Sequence, residues 1–223
     1  MLNIRSIAVA MTVAASLAPA QVAAGSVVNG SFEDIVPGSF LGRNGSSYGN
    51  MPTSGNSWDV WQSVNGWSTV SGSGIEIQTQ RTLGLAPADG DYYVELDSYS
   101  NSSMSQTLNL GVGRYMLSFW YSPRVGNALT DGIEYALGNL VSGLANDGVN
   151  GATRGGWTQI LSSFTVTTAG AYNLLFSASG QSDSYGGLVD DIQIAPVPLP
   201  AAGLALMAGL GALGAVRRRR KAA

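Results

Sequence analysis

The stretch Gly113-Arg114-Tyr115-Met116-Leu117-Ser118-Phe119-Trp120-Tyr121 alternates without a break. Tyr115, Leu117, Phe119 and Tyr121 fall on one face, and Met116, Ser118 and Trp120 on the other. A period of two is that of a β-strand, in which successive side chains point to opposite sides. The same period recurs outward from it. Upstream lie Ile75-x-Ile77, Leu108-x-Leu110, and Tyr92, Val94 and Leu96 alternating against Tyr93, Glu95 and Asp97. Downstream lie Ile133-x-Tyr135-x-Leu137, Ile160-x-Ser162-x-Phe164-x-Val166, Tyr172-x-Leu174-x-Phe176 and Leu188-x-Asp190-x-Ile192-x-Ile194. Gly, Ser, Asn and Asp punctuate these runs, so residues 25–195 read as eight or nine short strands of an all-β domain, a two-sheet jelly-roll-type β-sandwich. The segment Leu137 to Leu144 reads as one helical turn weakened by Gly138 and Gly143. Two Gly/Asn-rich connections, Pro37 to Ser57 and Asn139 to Gly156, interrupt the rhythm, and loops of that length usually carry function or disorder.

Both ends differ from this body. Met1 to Ala24 has one charge, Arg5, then an apolar run from Ile7 to Ala18 and small residues, the pattern of a secretory signal peptide. Two cuts fit, after Ala20 or after Ala24, and the second places small residues at both recognition positions; an uncleaved signal anchor is the alternative. At the other end, Leu199 to Val216 carries no charge and is followed by Arg217, Arg218, Arg219, Arg220 and Lys221. Eighteen helical residues rise about 27 Å, enough to cross a hydrocarbon core. The cations would stay cytoplasmic and leave the body on the far side. A buried helix ending in solvated charge is the competing reading.

The body between these ends has five arginines against fourteen acidic residues, a net charge of −9, with no lysine and no histidine. That balance argues against nucleic acid and anionic membrane surfaces as partners. The absence of cysteine and histidine removes thiol chemistry, Cys/His zinc sites and Ser-His-Asp triads.

The tail resembles the C-terminal sorting signal of exosortase substrates, the PEP-CTERM type, in the variant reading Val197-Pro198-Leu199-Pro200-Ala201. Motif, apolar span and basic end stand in that order. The resemblance implies recognition and cleavage by an exosortase, hence transient anchoring by the transmembrane helix of a C-terminal sorting signal (196–223) and release to the cell surface or extracellular matrix. Two prolines two apart keep the approach extended. The body is similar to galactose-binding-like β-sandwiches of carbohydrate-binding modules. The residues that carry this are Asn29-Gly30-Ser31-Phe32-Glu33, Asn65-Gly66-Trp67, Gly90-Asp91-Tyr92-Tyr93-Val94-Glu95-Leu96-Asp97, Ser105-Gln106-Thr107-Leu108, Gly113-Arg114-Tyr115-Met116-Leu117-Ser118-Phe119 and Gly187-Leu188-Val189-Asp190-Asp191-Ile192, in order.

That resemblance implies a structural calcium ion tying the first strand to the last through Glu33 and Asp190, with Asp191 the near alternative. Period two places Asp190 on the face of Leu188, Ile192 and Ile194, where a carboxylate needs a metal or hydrogen-bond donors; backbone N–H groups would serve as well as calcium. For polysaccharide binding, ring faces and polar side chains in a cleft are required. The candidates are Trp58, Trp61, Trp120 and Tyr185, with Tyr48 and Tyr99 in loops, each weighed against ordinary packing; Trp67 reads as structural. A glycosidase would need two carboxylates across a cleft. Glu76, Glu95, Asp97 and Glu134 are read as solvated on outward faces, and no pair is singled out, so the chain reads as non-catalytic.

Overall fold

The structure, a computed structural model, describes residues 25–35, 39–40 and 57–197. The signal segment 1–24, most of the polar loop at 37–57, Tyr48, and the tail from Pro198 through the basic cluster lie outside the described residues. Of the sorting motif only Val197 is described; its N–H donates to Arg114 O at 2.8 Å. Among the described residues no helix is long and apolar enough to cross a membrane.

Among the described residues twelve strands form: β1 (Ser39–Phe40), β2 (Trp58–Val64), β3 (Trp67–Ser71), β4 (Ile75–Thr79), β5 (Tyr92–Glu95), β6 (Ser103–Leu110), β7 (Gly113–Pro123), β8 (Gly132–Leu137), β9 (Val141–Ala145), β10 (Thr158–Val166), β11 (Gly170–Ser179) and β12 (Gly187–Pro196). Single helical turns α1 (Gln80–Leu83) and α2 (Asp147–Asn150) sit in loops. The strands make one hydrogen-bonded ribbon ordered β10-β7-β12-β5-β4-β2-β3-β6-β11-β8-β9, with β1 on β2. All named pairings are antiparallel.

The ribbon folds on itself at the β2–β3 hairpin, whose turn needs a left-handed residue that Gly66 supplies at φ 80°. Layer one is β10-β7-β12-β5-β4-β2; layer two is β3-β6-β11-β8-β9. Between them lies the apolar core. Phe119 of β7 meets Phe176 of β11 and Tyr135 of β8 edge to face, each at 5.0 Å, and Trp67 reaches Phe176 at 6.0 Å. Such edge-to-face contacts are the favoured geometry of aromatic quadrupoles. Trp67 is structural, as expected: it is 1% exposed, and its Nε1 donates to Asn29 O at 3.1 Å.

Two sequence expectations are corrected. Leu137 to Leu144 is no helical turn but a tight hairpin, with Leu137 paired to Val141 and Gly138 at φ 50°. And strict period two fails in β12. A bulge shifts the register between Asp190 and Gln193, with Asp191 at φ 46°. The extra residue moves Ile192 and Ile194 into the core with Val189, while Leu188 and Asp190 stay on the opposite face.

Candidate functional site

Layer two is chemically unusual. Across the strands β3, β6, β8, β9 and β11 one residue is charged, Glu134. The aromatic rings of these strands, Trp67, Tyr135, Tyr172 and Phe176, belong to or pack on the core. The outer face is therefore built mainly from serine, alanine and leucine side chains in registered rows, with Glu134 among them. One row runs Ser142–Ala136–Leu175–Ser105–Ser68, and its neighbour Leu144–Glu134–Ser177–Ser103. Because strands lie about 4.8 Å apart, the first row extends about 19 Å.

Where Ala136 lacks bulk, the face sinks into a groove of about 430 Å³ lined by Glu134, Tyr135, Ala136, Ser142, Gly143, Leu144, Leu175 and Ser177. Leu144 and Leu175 give apolar surface, and Ser142 and Ser177 give hydroxyls. Glu134 is exposed, and its Oε1 accepts from Ser179 Oγ at 3.2 Å. Gly143 is required beneath the floor: a Cβ there would stand 2.3 Å from Tyr135 Oη, which is paired with Ser162 Oγ at 2.7 Å. A cleft of this volume with apolar walls and a few directional polar groups suits a small polar ring or a chain of them.

The aromatic residues singled out from sequence lie elsewhere. Trp58 and Trp120 are half-buried on the outer face of layer one, on opposite sides of it. Four strand spacings, about 19 Å, separate them, and between them stand Gln78, Tyr93 and Asp190. Trp157 packs edge-on to Tyr93 at 5.7 Å and donates from Nε1 to Ala86 O, so this row is roofed at its middle. Trp58 packs against Tyr99 at 6.1 Å. Tyr185 is 48% exposed, with the Arg124 guanidinium 5.1 Å above its ring. Trp61 is corrected outright. Its partner across the strands is Ile75, it is 3% exposed, and its ring belongs to the core, where no sugar can stack on it. Neither Trp58 nor Trp120 nor Tyr185 lines the groove of layer two.

Three of the four acids read as solvated are buried: Glu76, Glu95 and Asp97; only Glu134 is exposed. Glu76 and Glu95 share the outer face of layer one, beneath the 181–186 loop. Gln78 Nε2 donates to both, at 2.6 Å to Glu76 Oε1. Arg124 Nη1 lies 2.6 and 2.5 Å from the two Glu95 oxygens and donates also to Ser184 O, while Gly186 N–H donates to Glu95 Oε1. Burial, then the Glu76 charge, pushes Glu95 up to about 8 against the pull of Arg124. Burial also raises Glu76. Asp97 instead clasps the loop, accepting from the N–H groups of Asp183 and Ser184. These acids are built into the scaffold and reach no cleft.

Glu33 and Asp190 do lie at one corner, holding opposite ends of the same segment. Glu33 Oε1 accepts from the N–H groups of Asp91 and Tyr92 at 2.8 and 3.0 Å. Asp190 Oδ2 accepts from those of Ala88 and Asp89, and Oδ1 from that of Asp191. Burial raises Asp190 to about 7 despite these donors. Asp191 turns the other way and accepts from Gln193 Nε2. Calcium wants six to eight convergent oxygens. Among the described residues no group of three or more acidic side chains converges in that way. Three of the four Glu33 and Asp190 oxygens already face N–H donors.

No family model and no curated protein matches this chain. Among solved structures it is similar to the carbohydrate-binding module TmCBM61 in complex with β-1,4-galactotriose, at 17% identity over 76% of this chain and 96% of that one, TM-score 0.47. It is also similar to the K2 cleaved adhesin domain of Lys-gingipain, at 16% identity over 68% and 95%, TM-score 0.43. A third is the carbohydrate-binding module CBM6cm-2 from Cellvibrio mixtus lichenase 5A in complex with cellotriose, at 16% identity over 58% and 92%, TM-score 0.39.

Proposed function

We propose that this protein is exported, sorted through its C-terminal signal by an exosortase, and acts without catalysis at the cell surface or in the extracellular matrix by binding or organising polysaccharide. The observation that carries the binding is the groove of about 430 Å³ on layer two, with its leucine walls, serine hydroxyls and exposed Glu134. The non-catalytic reading is supported by the acids. The cross-strand pair Glu76 and Glu95 is sealed by Gln78, Arg124 and Gly186 and has no room for a glycosidic bond between its members. Export and sorting are supported by the signal-peptide pattern of residues 1–24, the Val197–Ala201 motif, the uncharged span and Arg217–Lys221.

The test is affinity electrophoresis of the full-length chain, purified in mild detergent, through gels carrying different polysaccharides. Retardation by at least one polymer is expected, and free migration through all of them, including the producing cell's own exopolysaccharide, rejects binding in favour of a purely structural matrix protein. For sorting, replacing Pro198 and Pro200 by alanine should leave an uncleaved, membrane-retained chain on immunoblots; normal processing of that variant would reject the exosortase assignment.

A further inference from the structure

We infer that the groove selects polysaccharides without ionic groups, and that it does so with the whole outer face of layer two, the chain lying across the strands and Glu134 accepting a pair of neighbouring sugar hydroxyls. This rests on the polysaccharide-binding reading above and narrows it to a ligand class.

Charge distribution carries the first part. The five strands of layer two hold no arginine and a single acid, while the body as a whole has a net charge of −9. A polymer of uronic acids or sulfated sugars would meet an acidic domain and find no cation on these five strands to neutralise it. The row Ser142–Ala136–Leu175–Ser105–Ser68 carries the second part. It offers hydroxyls, each both donor and acceptor, on either side of the apolar groove floor, which matches a neutral chain that alternates C–H surface with hydroxyl edges. The row crosses four strand spacings, about 19 Å, so several sugar units are contacted at once. Glu134 carries the third. A carboxylate is an acceptor with two oxygens, and hydroxyl donors to it form charge-assisted bonds stronger than neutral ones. Since Ser179 already donates to Oε1, a sugar donates to Oε2 and to the remaining lone pair of Oε1. Among the described residues of these strands no ring faces outward to stack on the sugar, so each unit binds weakly and affinity accumulates along the chain.

The experiment is affinity electrophoresis of the full-length chain in mild detergent against a neutral glucan, a neutral galactan, alginate and chitosan, at low and high salt. Retardation by a neutral polymer, equal at both salts, with none by alginate, is expected. Glu134→Gln should weaken it about fivefold, the difference between a charged and a neutral acceptor, and Ala136→Glu, which fills and charges the groove, should abolish it; both variants should keep the parent melting temperature. Retardation by alginate alone would sink the neutral class and leave polysaccharide binding standing. Binding to chitosan that vanishes at high salt would sink it as well, making Glu134 a counter-ion. Neutral binding indifferent to both variants would move the site off this face. A dimer in light scattering that Ala136→Glu dissociates would give the face to a second copy of the chain. No retardation by any polymer removes this inference and the function together.

Discussion

Glu76 on β4 and Glu95 on β5 stand directly opposite each other, buried, with one side-chain amide, that of Gln78, donating to both carboxylates. Two acids so placed cannot both ionise without cost, and burial pushes Glu95 from the ordinary 4.5 up to about 8 and raises Glu76. A raised carboxylate binds its proton more tightly in the folded chain than in the unfolded one. The stability this gives is complete below about pH 4.5 and is lost as pH rises towards 8. Asp190, raised to about 7, acts in the same sense. The melting temperature should therefore fall between pH 5 and pH 9. Glu76→Gln should flatten that slope and raise the melting temperature at pH 9 by about 2–4 °C, roughly the effect of 1 kcal/mol in a domain of this size. Calorimetry across that range decides it, and melting that rises with pH would contradict the pair's assignment.

Arg124 is what makes the pair tolerable. Among the described residues its guanidinium is the one cation that contacts Glu95, and it also ties down Ser184 and packs on Tyr185. Removing one partner of a buried ion pair leaves an uncompensated charge, a loss of about 3–5 kcal/mol. Arg124→Met should lose about that much in urea unfolding at pH 8, and less at pH 5, where Glu95 can be protonated. Equal losses at the two pH values would mean that the residue acts by packing alone.

Trp61 and Tyr185 began as equivalent ligand candidates, and the structure separates them. Trp61→Ala should destabilise by about 3–5 kcal/mol, as large-to-small changes in a core do. Tyr185→Ala should cost only about 0.5–1 kcal/mol, the worth of an exposed cation–π contact. Parallel urea melts test both, and a small loss for Trp61→Ala would return its ring to the surface.

Alternation in sequence revealed the strands and the sandwich because each strand has a face in the core. It could not reveal that the outer face of layer one is buried too. Glu76, Glu95 and Asp97 sit on alternating strands and look solvated; the loop residues Ser184 and Gly186 that cover them lie some ninety positions away in the chain. The bulge at Asp191 was likewise invisible, since one inserted residue exchanges faces for everything beyond it without changing composition. Asp190 was expected to be buried and is, on the opposite side of the sheet. The groove had the weakest trace. It arises where one small residue, Ala136, meets Ser142 and Leu175 only across strands. A hint lies in the long charge-free strands around Glu134.

The corner of Glu33 and Asp190 makes a prediction about cations. Three of the four oxygens there accept backbone N–H bonds, so an ion would have to displace donors already in place. EDTA should leave the melting temperature unchanged. Asp190→Asn should still destabilise by about 1–3 kcal/mol, because an amide replaces one acceptor oxygen with a donor facing N–H groups. A melting temperature that drops with EDTA and returns with calcium would instead establish the ion that the sequence resemblance implies.

Gly143 links stability to the groove. It is paired with Tyr135 across β8 and β9, and a methyl group on it would stand 2.3 Å from Tyr135 Oη. That contact cannot persist, so in Gly143→Ala the tyrosine must swing away and break its 2.7 Å bond to Ser162, or β9 must lift off β8. Overpacking of this kind costs about 1–3 kcal/mol. Either adjustment disturbs the strand that carries Ser142 and Leu144, and with it one wall of the groove. Gly143→Ala should therefore lose both melting temperature and polysaccharide retardation. Tyr135→Phe, which removes the hydroxyl and its bond but leaves the ring in place, should lose about 1 kcal/mol of stability and keep the retardation. In the double variant Gly143→Ala/Tyr135→Phe the oxygen is gone but the ring carbon Cζ still stands 2.5 Å from the added methyl, so the loss of binding should persist. If Gly143→Ala alone melted and bound like the parent, the floor of the groove would have to be softer than its packing indicates, and the groove a less defined site.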